Sequence, residues 1–206
     1  NTYPGLSRDD AAGLAAAVGY LPLAIVLGAA YLARSGEPVT ELRRRIGETA
    51  GGKDHLQNLF ERVVGLSIAD LDEEQRAQWL ALSLPPGDFG LWTVQALWQD
   101  GDPRPALGGL ANRHLILPVG EGRWRLHDLL RHYGRTMLAA TPEAEQDLWR
   151  QLGPAAVERL EEINARFRSG GEEMVPALAE LDAELPLLQD VQAVSYTHLT
   201  LPTRCL

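Results

Sequence analysis

The stretch Leu115-Ile116-Leu117-Pro118-Val119-Gly120-Glu121-Gly122-Arg123-Trp124-Arg125-Leu126-His127-Asp128 decides the fold. Short apolar-rich runs flank Gly120-Glu121-Gly122, so the segment reads as two short strands around a glycine turn. Upstream the apolar spacing is helical: Leu59, Phe60 and Val63 to Leu66, then Trp79, Leu80 and Leu84, then Trp92, Leu97 and Trp98, then roughly Pro105 to Arg113. Asp72 with Gln75 three positions on resembles a capping box that opens the second of these helices, and Pro85-Pro86-Gly87 ends it. Downstream, a helix from Asp128 carries Leu130, Tyr133 and Met137 inward. Helices, a β-hairpin and a helix after it outline a winged-helix domain with a two-stranded β-wing over residues 54–140.

Outward from this centre the chain stays helical, so the expected fold class is mainly α. Ala11 to Ala33 is a run of 23 residues without a charge, and about 20 apolar residues span a bilayer. Alanine and glycine dominate it, and Gly19-Tyr20-Leu21-Pro22 breaks it, so it reads as two short helices and not as a membrane span. Asp9 or Asp10 would cap the first. Pro22 would sit in the first turn of the second, where its missing N–H is not needed. Leu23, Val26, Leu27, Ala30 and Tyr31 would form its buried face. Ser35-Gly36-Glu37-Pro38 is a turn and Val39 to Ile46 a short basic helix, which makes residues 1–50 a small helical domain. Beyond Thr141-Pro142, breaks at Gly153-Pro154 and Ser169-Gly170-Gly171 divide residues 142–193 into repeat-like helical hairpins. Val194 to Thr203 resembles the one-frame translation of a sequencing-library adaptor, so residues 194–206 are expected not to be native. The first residue is Asn1 and not Met, as in an incomplete reading frame, and Arg8-Asp9-Asp10 argues against a signal peptide.

Composition narrows the functional classes. The 206 residues are 45% apolar and 23% charged, enough for one sizeable core or two small ones. The lone cysteine, Cys205, permits no internal disulfide, and a reducing, cytoplasmic location is expected. Residues 141–190 carry 4 basic and 12 acidic side chains, a balance that repels phosphate backbones. Of the 19 basic residues 18 are arginine, a bias attributed to GC-rich codon usage.

Two motifs invite a phosphate ligand. Gly47-Glu48-Thr49-Ala50-Gly51-Gly52-Lys53 has the glycine and lysine spacing of a phosphate loop. Asp54 replaces the magnesium-binding hydroxyl, however, and the preceding Glu41-Leu42-Arg43-Arg44-Arg45 is no buried strand, so the segment reads as a glycine-rich linker. His127-Asp128 falls where the second wing strand meets a helix, and free N–H groups at a helix N-terminus favour anions. Asp128 is suited to cap that helix by accepting from the N–H of Leu130 or Arg131. Taken alone, the pair is an ordinary strand-end histidine beside an N-cap. Arg113, His114, Arg123, Arg125, Arg131, His132 and Arg135 surround the wing, but the candidate recognition helix offers base edges little beyond Arg104 and Arg113. A solvated or interdomain basic face is the expected role of that cluster. No histidine–carboxylate set has metal-ligand spacing, and no serine or cysteine has a partnered base.

Gly19-Tyr20-Leu21-Pro22-Leu23-Ala24-Ile25 and Leu126-His127-Asp128-Leu129-Leu130 together resemble two elements of the signal-transduction ATPases built on an NB-ARC module, the STAND class. These include plant disease-resistance proteins, apoptosome scaffolds and many bacterial regulators. The order of the two motifs, with a wing directly before the second, carries the resemblance over roughly residues 8–140. Leu181-Asp182-Ala183-Glu184-Leu185-Pro186-Leu187-Leu188 is similar to the start of the TPR-like repeats that follow in bacterial members. Tyr20 stands where leucine is usual and Leu126 where methionine is. The resemblance implies a small helical ARC-type domain, a winged helix and the first repeat helices of a nucleotide switch, with ADP or ATP as cofactor. It implies that Pro22 packs near the adenine, that His127 contacts the β-phosphate of ADP and that Asp128 supports it, with no catalytic residue and no metal site here. A phosphate loop, an acidic Walker B strand and a sensor arginine are all lacking, so the segment is not expected to hydrolyse ATP. That half would lie in an upstream nucleotide-binding domain of a slow ATPase. The partners implied are that domain, a protein bound through the repeats, and an oligomer in the ATP state. The alternative is a winged-helix DNA-binding regulator with a helical dimerisation or sensing tail, and a purely structural helical scaffold is a third reading.

Overall fold

A computed structural model describes residues 6–47, 55–99, 101–120 and 122–197. Among them, in chain order, run α1 (Arg8–Ala17), α2 (Pro22–Ser35), α3 (Val39–Gly47), α4 (His55–Ala69), α5 (Glu73–Ala81), β1 (Phe89–Gly90), α6 (Leu91–Trp98), α7 (Arg104–Asn112), β2 (Leu117–Gly120), β3 (Arg123–Arg125), α8 (Asp128–Ala139), α9 (Pro142–Ser169) and α10 (Met174–Thr197). A 3-10 turn, Gly171–Glu173, links the last two helices. The chain is mainly α, as expected. It divides into two compact units: the described residues of Asn1–Ala77 with Ala106–Ile116, and those of Gln78–Pro105 with Leu117–Leu206. The phosphate-loop look-alike beyond Gly47 and the tail beyond Thr197 lie outside the described residues.

In the first unit, α2 packs on α4, and α3 on α1 and α4. The uncharged run is two helices, and no helix among the described residues is long and apolar enough to cross a membrane. The cap of α1 is Ser7 and not Asp9 or Asp10: the Ser7 hydroxyl accepts from the Asp10 N–H at 3.0 Å and donates to Asp10 Oδ2 at 2.7 Å. Serine wins because it sits one residue before the helical dihedrals begin, where its short side chain reaches the N–H of the third residue on. Pro22 opens α2 as expected, and Gly36 closes it in the left-handed region at φ 67°. The buried face of α2 is broader than the expected stripe and runs through Ala24, Leu27, Gly28, Ala29, Ala30 and Leu32, with Leu23, Val26 and Tyr31 only half-buried. Gly28 explains the shift. A Cβ there would lie 3.1 Å from Leu14 Cδ1, so the missing side chain lets α1 approach closely.

In the second unit, α9 packs on α6, α8 and α10. The sheet has three strands and not two, antiparallel in the order β1-β3-β2. The two-residue β1 was missed because Phe89-Gly90 is too short to show any period, yet Phe89 is fully buried opposite Trp124. Strand β2 lies at an edge, where Pro118 costs no ladder bond, and its register shifts between Pro118 and Gly120. Along the chain, α5 to β3 follow the order helix, strand, two helices, hairpin.

Two expected boundaries move, and one inward face shifts. Helix α5, capped by Asp72 Oδ1 accepting from the Gln75 N–H at 2.7 Å, ends at Ala81, short of Leu84. There the Ser83 hydroxyl donates to the Leu80 carbonyl at 2.6 Å and the chain turns. Gly153-Pro154 does not break α9, which runs unbroken over 28 residues, because Trp149, Leu152, Ala156 and Ile163 keep one buried stripe through the proline. The inward residues of α8 are Leu130, Gly134 and Leu138, with Tyr133 and Met137 half-buried beside them.

Candidate functional site

The cap expected of Asp128 is made by His127 instead. His127, in extended backbone, is the N-cap of α8: its Nδ1 accepts from the Leu129 N–H at 3.3 Å. Asp128 is the first helical residue, its side chain 89% exposed and paired with Arg131 Nη1 at 2.7 Å. The reason is local. Leu126, fully buried, fixes the end of the wing, and the chain leaves it extended for one residue before the helix, which puts the imidazole and not the carboxylate beside the orphan N–H groups. A ring nitrogen that accepts the cap is unprotonated, so in the neutral ring the proton is on Nε2, which is then a free donor.

His127 lines a cleft of about 600 Å³ in the second unit, within the usual range of small-molecule sites. Pro86, Gly87 and Asp88 precede β1 on one side; Ala183 and Pro186 of α10 stand on another; Arg123, Arg125, Asp128 and Arg131 supply its charge. Every one of these arginines is engaged. Arg125 grips Asp88 through Nε and, at 2.9 Å, through Nη2. The Arg125 hydrogen bond holds the Asp88 carboxyl below its usual range, against its partial burial, and the charges of Arg123 and Arg131 add to it. Arg131 donates through Nη2 to the carbonyls of Gly87, 3.2 Å, and Leu126, 3.1 Å. Arg123 pairs with Glu184 and donates through Nη2 to the Asp88 carbonyl at 3.1 Å. Glu184 is 1% exposed, and its Oε2 has no hydrogen-bond partner. A buried acceptor left unmade costs about 1–3 kcal/mol, and more when charged.

Much of the basic cluster around the wing is therefore internal structure. Arg135 likewise pairs with Glu145 at 3.1 Å and lies 5.8 Å from the Trp149 ring, tying α8 to α9. In the candidate recognition helix, Arg113 donates to the Gly109 carbonyl, and Arg104 pairs with Asp102 just before it. Pro22 is exposed at the start of α2 in the first unit, behind Gly19 and Tyr20, which both take left-handed backbone at φ 63° and 57°. No group of three His, Cys, Asp or Glu among the described residues is placed to hold a metal ion.

The cleft offers one imidazole N–H at a helix N-terminus, and each of its three guanidinium groups faces a carboxylate of the chain. Nothing in the sequence marks Asp88 here, and Glu184 and Pro186 are marked only as part of the repeat-like stretch Leu181 to Leu188 and not as cleft residues. Glu184 carried a signal, since it interrupts the buried stripe Ala177, Leu187 and Val191 of α10.

The chain is 33% identical over 143 residues, 64% of its length, to regulatory protein AfsR of Streptomyces griseus. It is 29% identical over 145 residues, 65% of its length, to regulatory protein AfsR of Streptomyces coelicolor (strain ATCC BAA-471 / A3(2) / M145). The chain is a partial homologue of a regulatory protein. It spans 14% of the length of either relative. No family model matches. No solved structure matches.

Proposed function

We propose that this chain is the ADP-sensing part of a regulatory NB-ARC-type switch, in which His127 donates from Nε2 to the β-phosphate of a nucleotide held by an upstream nucleotide-binding domain. One observation carries this reading. The cap to Leu129 engages Nδ1, which leaves Nε2–H as the donor of a residue that lines a cleft of guanidinium groups. Asp128 supports the arrangement through Arg131, which pairs with it and donates to the Leu126 carbonyl, so that both chain neighbours of His127 are held. Pro22, exposed behind two left-handed residues, is the second proposed nucleotide contact, toward the adenine. The similarity to AfsR supports a regulatory role.

The bound nucleotide would supply the signal by its identity, diphosphate or triphosphate. The chain's own part is recognition: it holds one donor toward one phosphate and performs no bond chemistry. Such a ligand biases two states only through its differential contacts, typically about 1–3 kcal/mol of coupling. The domain division into residues 1–50, 54–140 and 142–193, the protein partner at the helical repeats and the ATP-state oligomer belong to the same proposal. His127→Asn in the protein that joins this segment to its nucleotide-binding domain tests it, because asparagine keeps a helix cap and removes the phosphate donor. ADP is expected to leave faster and basal output to rise; unchanged ADP release counts against the proposal.

A further inference from the structure

Helix α10 stands against the His127 cleft with Ala183 and Pro186, and Glu184 lies between them. A glutamate in a buried helical stripe, with one oxygen unpartnered, is a poor choice for packing alone. Its oxygen Oε1 accepts from Arg123 of β3, and the same guanidinium donates to the Ala183 carbonyl at 3.4 Å and the Asp88 carbonyl at 3.1 Å. One side chain thus joins β3, the loop before β1 and α10. From that loop the polar contacts continue: the Gly87 carbonyl accepts from Arg131, which also holds Leu126 and Asp128, the two neighbours of His127.

We propose that Arg123–Glu184 is a releasable latch through which the α9–α10 hairpin regulates the phosphate contact of His127. This rests on the nucleotide reading above for its purpose, though not for its mechanics. Closed, the latch holds α10 against the cleft, and each of the three guanidinium groups faces a carboxylate of its own chain: Arg123 with Glu184, Arg125 with Asp88, Arg131 with Asp128. Opened, it widens the cleft and frees Arg123 Nη1 for an incoming anion. A partner that pulls on the hairpin therefore changes anion exchange at His127 without touching it.

Hydrogen–deuterium exchange on the 206-residue chain tests the mechanics, with Glu184→Leu as the unlatched variant, because leucine keeps the stripe apolar and the fold intact, and Arg123→Gln as the second. Exchange at the Leu129 and Arg131 amides, which are bonded to the His127 ring and carbonyl, is expected to quicken about five-fold or more in both variants, along with that of residues 181–188. Faster exchange confined to α10 overturns the latch. Titration with pyrophosphate, read on the His127 imidazole by NMR, tests the purpose. Tighter binding in Glu184→Leu than in the unaltered chain supports it. Coupled exchange with no response to pyrophosphate in either chain leaves the latch standing and overturns the nucleotide reading.

Discussion

At the scale of single residues, His127 does two jobs that substitution can separate. His127→Ala removes the cap and is expected to cost about 1 kcal/mol, whereas His127→Asn keeps it and leaves the melting temperature nearly unchanged; thermal unfolding followed by circular dichroism measures both. Asp88 gives a pH test. Its carboxyl is held below the ordinary value of 3.8 by Arg125, so its contribution to stability is present above that value and lost as pH falls through the lower folded value. Asp88→Asn should therefore be the less stable chain at neutral pH, with the difference in melting temperature shrinking on acidification. A constant difference across that range would remove Asp88 from the acid response. The importance of the His127-Asp128 pair was legible in the sequence, but its division of labour was not, because which residue leaves the strand extended depends on where buried Leu126 anchors the wing.

Among the elements, packing at α8 and continuity in α9 make opposite predictions for substitution by alanine. A Cβ at Gly134 would lie 2.7 Å from the Ser83 Cβ, too close for Ser83 to stay in place, and 3.6 Å from the Trp79 ring, an ordinary contact. Gly134→Ala is expected to destabilise by about 1–3 kcal/mol, with Ser83→Gly recovering part of the loss in the double variant. Pro154 sits inside α9 and denies a backbone donor to it. Pro154→Ala should raise stability by about 1 kcal/mol or more, read from the denaturant midpoint. The helices of long apolar period could be read directly, and so could the hairpin of the wing. Strand β1 could not, since two residues carry no period, and the unbroken α9 could not, since proline and glycine mark a break unless a buried stripe overrides them.

For the whole molecule, the two compact units divide the two motifs, with Pro22 in one and His127 in the other. Wing arginines occupied by Asp88, Glu184 and Glu145 leave little free positive charge for a phosphate backbone, and the acidic α9 and α10 oppose it. Salt-dependent retardation of duplex DNA is accordingly not expected from this chain, and finding it would favour the winged-helix DNA-binding alternative. The order of motifs along the chain was visible from sequence; the participation of α10 in the His127 cleft was not, because Arg123 and Glu184 lie 61 residues apart and only the fold brings them together. The direct measurement is the rate of ADP release from the full-length product of the gene that carries this segment, compared between the unaltered protein and His127→Asn. A contact of the proposed kind predicts release accelerated by about 5- to 150-fold at unchanged melting temperature. Equal rates, or a full-length protein that retains no ADP, would contradict it.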